Sequence, residues 1–329
     1  MKKNQKLFLL SSLSLLLAFA TCFLGKTLLP FPLLWDCHGT SLDAVLLWKI
    51  RLPRVCLGFL CGAALSLGGL VFQALFRNPL TTPFTLGVAS GAFLGATLCL
   101  HFGWVFSIGI LSSLSFFSIA GALFSIGLIH MLSNIKGDHH TGTVLLAGVA
   151  IQFFFSSVIL FFQYITDFVG SVRILRWLMG GIETVGFESV LMALPFVIFG
   201  FAGVWFFSEE LNLLSTGDDL ALTRGVEVSR VRRLLFFITS LLVGGVVSVC
   251  GPIGFVGLMV PHVFRLLLGP DHRVLIPAVF FGGGAFLTVC DLLARTWIAP
   301  AEMPVGIITA LLGGPFFLWL LVKKSSSFR

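Results

Sequence analysis

Long apolar runs follow one another along almost the whole chain, separated by short clusters of polar, proline and glycine residues. Within the runs, apolar residues are continuous rather than alternating, which predicts α-helices and not the strands of a membrane barrel. A helix needs about 20 apolar residues to cross the hydrocarbon core of a bilayer. The breaks predict ten spans, at 7–29, 54–76, 87–102, 104–132, 143–165, 189–207, 232–250, 253–268, 274–296 and 304–322.

Two of these runs have unusual lengths. The 104–132 run is long enough to tilt or to include an interfacial turn. The 253–268 run opens at Gly251-Pro252 and is short for a full crossing. The first run follows a basic N-terminus and resembles a signal peptide, but it has no A-x-A-like cleavage site. We therefore interpret it as a retained helix and predict a single transmembrane domain over 1–329.

Composition supports a membrane protein. Of the 329 residues, 57% are hydrophobic and only 11% are charged, whereas a soluble domain carries about 25% charged residues. The net charge of +7 is typical of cytoplasmic loops that collect Lys and Arg, so nucleic acid is not an expected partner. The seven cysteines form no C-x-x-C pair, which favours neither a disulfide framework nor a metal site. No cofactor is predicted. The fold class is an all-α, multi-pass protein of the cell (inner) membrane.

The distribution of basic residues predicts the orientation. With the N-terminus in the cytoplasm, 14 of the 21 Lys and Arg residues fall on inner segments. Cytoplasmic loops carry such an excess. The even number of spans then places the C-terminus inside as well, so the prediction is N-in/C-in.

The sequence offers few sites that could couple the protein to an energy source such as ATP or an ion gradient. Gly25-Lys26-Thr27 matches the end of a P-loop, but Ala20 occupies the position of the required first glycine. Ionisable residues near mid-membrane are scarce; Asp291 and Arg295 lie one helical turn apart and suggest an ion pair. The sequence 138–140, Asp-His-His, is interpreted as a polar turn rather than a metal site. The energy source is therefore expected on a partner, and the alternative is a stand-alone secondary transporter or channel.

The inner stretch 208–231 predicts a short capped helix. Ser215 or Thr216 is a candidate N-cap, acidic residues follow in the first turn, and Gly225 suits the position after the C-cap. An ordinary loop and a docking surface for a cytoplasmic protein both fit this pattern.

Two arginines in Arg51-Leu52-Pro53-Arg54 lie at a predicted outer helix entrance, where proline suits the first turn. They could anchor lipid headgroups or bind acidic groups of an external partner. Farther along, Gly87, Gly91 and Gly95 recur at every fourth position, which predicts a close-packed helix face.

Together these segments resemble the FecCD-type permeases, the membrane subunits of ABC importers for iron–siderophores, haem and vitamin B12. The resemblance covers most of the chain. It rests on RLPR at 51–54, Q-x-x-x-R-N-P-L at 73–80, LGVASGA at 86–92, LLAG at 145–148, WLMGG at 177–181, STGDDLALTRGV at 215–226, GPIGFVGLMVPHVFR at 251–265, LGPDHR at 268–273, CDLLAR at 290–295 and MPVGIITALLGGPFFLWLL at 303–321.

The resemblance implies partners that the residues alone do not specify. A second permease subunit, identical or homologous, would share the central pathway. A cytoplasmic ABC ATPase dimer would dock on a coupling segment at about 212–226, and an extracytoplasmic substrate-binding protein would dock on the outer face. ATP hydrolysis would then belong to the partner, so the chain itself is not expected to be an enzyme, and its cargo would be a metal chelate.

The resemblance also implies roles for individual residues. The expected ATPase-coupling residues are Gly217, Asp218, Asp219, Ala221 and Gly225. The arginines expected to dock the binding protein are Arg51, Arg54 and Arg295. The fifth and tenth spans would line the pathway, and the fifth carries the polar residues Gln152, Ser156 and Ser157.

Overall fold

A computed structural model describes residues 3–25, 27, 29–35, 41–84, 87–109, 111–135, 141–298 and 301–326. The chain is mostly helical. Lys26 and the 138–140 turn named above fall outside the described residues. The first half contains α1 (Lys3–Phe23), a 3₁₀ helix (Phe31–Trp35), α2 (Leu42–Val45), a π-helix (Leu46–Arg51), α3 (Leu52–Leu75), α4 (Val88–Phe102), β1 (Ser107–Ile108), β2 (Leu111–Ser112), α5 (Ser113–Ile135) and α6 (Thr141–Ile165).

The second half is entirely helical between its connections. It contains α7 (Phe168–Leu178), α8 (Glu188–Phe206), α9 (Ser208–Thr216), α10 (Asp218–Thr223), α11 (Val228–Cys250), α12 (Val256–Leu268), α13 (His272–Thr296) and α14 (Val305–Ser326).

A helix occupies each of the ten predicted spans. In the described residues, seven helices are long and apolar enough to cross a membrane, and three shorter apolar helices lie at Val88–Phe102, Val256–Leu268 and Val305–Leu320. The predicted 104–132 run includes a turn, because β1 and β2 form a small antiparallel hairpin before α5 begins. The helical class is confirmed, whereas the count of ten crossings and the N-in/C-in orientation stay predictions.

The predicted helix entrance at Arg51 is wrong. The helix begins at Leu42 and runs without interruption to Leu75, passing through the π-turn of residues 46–51. Within that wider turn the backbone N–H of Leu52 donates to the carbonyl of Leu47, five residues back. A π-turn changes the local hydrogen-bond register, which lets Pro53 follow inside a continuous helix despite its missing N–H. Arg51 and Arg54 therefore lie in the interior of the helix.

Helix α3 is the centre of the bundle. It is buried along almost all of its length and packs against α8, α11, α12 and α13. Small residues permit this closeness: a Cβ at Gly62 would collide with the backbone of Gly283 on α13, and one at Gly69 with the backbone of Gly257 on α12. Membrane helices associate through such small residues, because inside a bilayer the hydrophobic effect contributes little to helix association and close packing has to replace it.

The glycine face predicted at 87–95 is confirmed at two positions. A Cβ at Gly91 would collide with Gly121 on α5, and one at Gly95 with the carbonyl of Phe117 on the same helix. Helices α4 and α5 therefore pack with their backbones in contact. In contrast, α1 and α6 leave most of their large apolar side chains exposed, and α8 leaves several exposed. Such faces suit lipid or another membrane subunit.

Candidate functional site

The predicted coupling segment forms two short helices, α9 and α10, joined at Gly217. This glycine has φ +146° and ψ 151°, a conformation that side-chain-bearing residues rarely adopt. The proposed N-cap at Ser215 or Thr216 is wrong. Both residues belong to α9, where their hydroxyls donate to the carbonyls of Asn212 and Leu213 at 2.7 Å. Gly217 is the N-cap of α10 instead.

The C-terminal end of α10 matches the prediction. Gly225 has φ +81°, and its N–H donates to the carbonyl of Leu222 at 2.9 Å. The N–H of Val226 donates to the carbonyl of Ala221 at 3.1 Å. These two bonds form a Schellman motif, which satisfies carbonyls that a helix end would otherwise leave unpaired.

Ion pairs and hydrogen bonds hold the segment to the bundle. Nη2 of Arg232 on α11 donates to both carboxylate oxygens of Asp218, at 2.9 and 3.1 Å. Arg77, just past the end of α3, lies 3.8 Å from the same carboxylate. Its backbone has φ +49°, which is costly for a residue with a Cβ. The first turn of α10 is therefore tied to α11 and faces the end of α3.

A second set of bonds ties α9 to α13. Asn212 donates from Nδ2 to Oδ1 of Asp271 at 2.9 Å, and its Oδ1 accepts from the backbone N–H of His272 at 2.8 Å. Arg273 pairs with Glu209 at 2.6 Å. These residues explain the GPDHR motif structurally: it caps α13 and anchors the coupling segment.

The anchored segment still presents an outward face. Ala221 is buried against the core, whereas Leu220 and Leu222 are 58% and 57% exposed, and Asp219 is exposed beside them. Asp218 and Asp219 lie in the first turn of α10, where acidic side chains are favoured by the helix dipole. Among the predicted coupling residues, Ala221 is buried and Asp218 is bonded to α11, whereas Asp219 is exposed.

The three predicted docking arginines are buried and lie in one cluster. Arg54 binds Asp291 through Nε and Nη2, with distances of 3.0–3.1 Å, and its Nη1 donates to Glu302 at 2.7 Å. Nε of Arg295 lies 3.1 Å from Asp291, one turn earlier on α13. The predicted Asp291–Arg295 ion pair is present, and Arg54 is part of it.

Arg51 forms the edge of this cluster. Its guanidinium donates to the carbonyls of Phe23 and Thr27 at 3.2 and 2.8 Å and to the Thr27 hydroxyl at 2.9 Å. It therefore connects the end of α1 to the long helix. On Arg295, the buried Nη2 has no hydrogen-bond partner among the residues that the structure describes. An unpaired buried donor is costly, so this group is suited to an additional acceptor.

The predicted pathway residues all lie on α6. Ser156 and Ser157 are exposed, and Gln152 is half-buried. The Ser157 hydroxyl donates to the carbonyl of Phe153 at 3.0 Å within the same helix. A pathway role for these residues stays a prediction.

Sequence reasoning missed Arg77, Arg232 and Glu302 as partners of the predicted sites. Arg232 lies 14 residues after Asp218, and Glu302 lies 248 residues after Arg54. Neither spacing corresponds to neighbours on one helix. Arg77 appeared in the sequence analysis only within the Q-x-x-x-R-N-P-L segment at 73–80.

Comparisons with known proteins agree with this geometry. The model of the FecCD transport family matches residues 13–323. The cobalamin import system permease protein BtuC of Halobacterium salinarum is 41% identical over 304 residues, covering 89% of this chain and 79% of that protein. The hemin transport system permease protein HmuU of Yersinia pestis is 36% identical over 318 residues, with coverage of 95% and 93%.

A solved structure shares the fold. It is described as an inward-facing conformation of an ABC transporter of the metal-chelate type. Its TM-score is 0.86 at 31% identity, and the match covers 97% of this chain and 99% of that one. The similarity of fold therefore extends through the whole bundle.

Proposed function

Because this chain belongs to the FecCD transport family, we propose that it is the membrane-spanning permease subunit of a binding-protein-dependent ABC importer. Its cargo is a metal chelate of the iron–siderophore, haem or cobalamin class. A separate cytoplasmic ABC ATPase dimer supplies the energy, and the permease alternates between outward-facing and inward-facing states without covalent chemistry. The named functions of the relatives and the metal-chelate transporter that shares the fold support this proposal.

The single observation that carries the ATPase assignment is the exposed face of α10. Helix α10 has six residues, is capped at its C-terminal end and is bonded to α11. It still exposes Leu220 and Leu222, so it is suited to bury those side chains against a partner. Asp219 lies beside them and can pair with a basic group of that partner. The ATPase dimer would dock on this face.

The bonds of the segment also give a route for coupling. A displacement of the coupling segment acts on α11 through the Asp218–Arg232 pair of α10. It acts on α13 through the hydrogen bond between Asn212 of α9 and Asp271. Helices α11 and α13 both pack on the central helix α3. Closure of the ATPase dimer can therefore shift these packed helices together. Packed helices move between discrete arrangements, which suits a change between two states of the bundle.

On the opposite side, Arg51, Arg54 and Arg295 would bind carboxylates of an extracytoplasmic substrate-binding protein. Glu302 is 48% exposed on its side chain and covers Nη1 of Arg54. An approaching carboxylate can replace Glu302 there, and the unpaired Nη2 of Arg295 offers a second donor. Arginine binds carboxylates with well-defined geometry.

The pathway would run along α6 and α14 at the junction with a second permease subunit, identical or homologous. Helix α6 exposes large apolar side chains, among them Phe153 and Phe154, together with Ser156 and Ser157. A partner subunit would cover part of this face. The remaining mixture of aromatic and hydroxyl groups forms few strong bonds to a bulky chelate, which favours its release.

Co-purification of the assembled transporter tests the docking face. Leu220→Arg and Asp219→Arg alter exposed groups that do not hold α10 in place, so the permease should fold while the ATPase subunit is lost. The control is Val185→Arg, at an apolar position before α8 that is more exposed than Leu220, 77% against 58%. Retention of the ATPase by Leu220→Arg and Asp219→Arg would contradict the assignment. A stand-alone carrier would instead transport in response to an ion gradient with no ATPase present.

A further inference from the structure

A cavity of about 460 Å³ lies between α5, the start of α6 and the first half of α11, and its lining does not include the pathway residues Gln152, Ser156 and Ser157. Its deeper wall is apolar and includes Ile126, Phe236 and Phe237. The side chains of Leu123 and Phe237 are exposed at its margin, so the cavity is open on the outer surface of the bundle. Its volume is in the range of small-ligand sites.

Polar groups concentrate at one end of this cavity. Ser229, Arg232 and Arg233 line it on α11, one to two turns before Phe236 and Phe237. On α5 the order is reversed, with Leu123 near the apolar end and His130 near the polar end. The cavity is therefore amphipathic along the helix axes, with its basic end toward the predicted cytoplasmic surface and its apolar end toward the middle of the bilayer.

Arg232 provides a specific donor there. Its Nη2 is bonded to Asp218, but its Nε is buried and has no hydrogen-bond partner among the described residues. A buried charged donor without an acceptor is costly. Arg233, which follows on the same rim, is exposed. Two adjacent guanidinium groups at the membrane interface favour a phosphate, which Arg can bind through two donors.

We propose that this cavity binds an anionic phospholipid of the inner leaflet, with one acyl chain between α5 and α11 and its phosphate on Arg232 and Arg233. The apolar depth excludes a free phosphate as the occupant, since inorganic phosphate would leave that wall unfilled. The two arginines select against a zwitterionic lipid. Basic pockets between membrane helices on the cytoplasmic side are suited to such headgroups. Because Arg232 also holds Asp218, the bound lipid steadies the anchor of the coupling segment.

Gly127 permits a direct test. It lines the cavity on α5, and a Cβ added there would meet no atom within 4 Å. Gly127→Leu should fill the cavity without disturbing helix packing. Gly142→Leu, at an equally open position near the start of α6 outside the cavity lining, is the matched control. For the headgroup, Arg233→Gln is compared with Arg230→Gln, whose side chain pairs only weakly with Glu227 at 3.5 Å.

The purified full-length transporter is placed in nanodiscs of phosphatidylcholine containing a small fraction of phosphatidylglycerol with a photoactivatable acyl chain. Labelled peptides are identified by mass spectrometry. The expected labels lie on α5 and α11 at the cavity and are displaced by unlabelled phosphatidylglycerol. Gly127→Leu should lower labelling about fivefold or more and Arg233→Gln about tenfold, with both controls unchanged and equal melting temperatures.

Three results would overturn the proposal. Equal labelling by a phosphatidylcholine probe would remove the role of the arginines. Unchanged labelling in Gly127→Leu would show that the chain lies elsewhere. Labels spread over the exposed faces of α1 and α8 would indicate ordinary annular lipid. None of these readouts depends on transport, so they are independent of the proposed import function.

Discussion

Arg232 donates through Nη2 to both carboxylate oxygens of Asp218, which fixes the first turn of α10 to α11. The carboxylate is one-third exposed and the guanidinium is largely buried. Among the predicted coupling residues, Asp218 is thus a structural anchor, whereas Asp219 is exposed and can contact a partner, as can its neighbour Leu220. This division leads to separable predictions for the two kinds of residue.

Breaking the anchor should uncouple transport from ATP hydrolysis. Asp218→Asn or Arg232→Gln removes a charge-assisted bond of about 1 kcal/mol at this partly exposed position. The helix remains capped, so we expect the ATPase to bind but α10 to move without α11. Uptake per ATP hydrolysed in proteoliposomes should fall several-fold, and the exchanged pair Asp218→Arg with Arg232→Asp should recover part of it. An unchanged ratio in both single variants would contradict the coupling route.

Arg77 should be replaceable by glycine without loss of stability. Its left-handed backbone costs about 1–2 kcal/mol for a residue with a Cβ, and its 3.8 Å contact with Asp218 is worth less than about 1 kcal/mol. Arg77→Gly should therefore melt at or above the wild-type temperature in detergent. Arg77→Ala keeps the backbone cost, loses the contact, and should melt below Arg77→Gly. The reverse order would show that the contact outweighs the strain.

The arginine cluster should respond very differently to its two carboxylates. Asp291 is buried between Arg54 and Arg295. Asp291→Asn therefore leaves the buried Arg295 without the counter-charge of Asp291 and Arg54 with only the half-exposed Glu302. That loss should destabilise the protein by about 3–5 kcal/mol. Glu302→Gln removes a half-exposed carboxylate and should cost less than about 1 kcal/mol. Unfolding of the detergent-solubilised protein measures both; similar costs would contradict the structural role of Asp291.

Glu302→Gln should also strengthen binding of the extracytoplasmic partner. The substitution weakens the hydrogen bond from Nη1 of Arg54, because a neutral amide oxygen replaces a carboxylate as its acceptor. It also removes a negative charge from the surface that the partner's carboxylates approach. The dissociation constant should decrease, and most at low salt, where screening of partly exposed charges is weakest. Glu183→Gln serves as a control for the general effect of removing one acidic charge. If both variants bind like the wild type at every salt concentration, the docking role of the arginines is not supported.

Much of the fold could be predicted from the sequence, because the length of an apolar run gives the length of a membrane helix directly. Continuous apolar runs and their breaks predicted helices in all ten places, and the spacing of Gly91 and Gly95 predicted a close-packed face on α4. The Schellman motif at Gly225 likewise depends on residues that are neighbours in the sequence. Each of these features depends on residues that are close in the sequence.

The errors and omissions concern features that depend on the packing of the folded chain, which a local sequence pattern does not predict. Pro53 favoured a helix start, yet a π-turn accommodates it within a longer helix. Arg54 and Asp291 are 237 residues apart and meet only because α3 and α13 pack side by side. Burial of the three arginines depends on that packing as well. The sequence therefore indicated a candidate site and the local Asp291–Arg295 ion pair, but not the pairs that Arg54 forms with Asp291 and Glu302.

The most direct test of the central claim is uptake of a radiolabelled metal chelate into proteoliposomes that contain this permease. We predict uptake only when the ATPase subunit, ATP and the cargo-loaded binding protein are all present, and its loss in Leu220→Arg despite normal folding. Uptake by the permease alone, driven by an ion gradient and independent of ATP, would contradict the account.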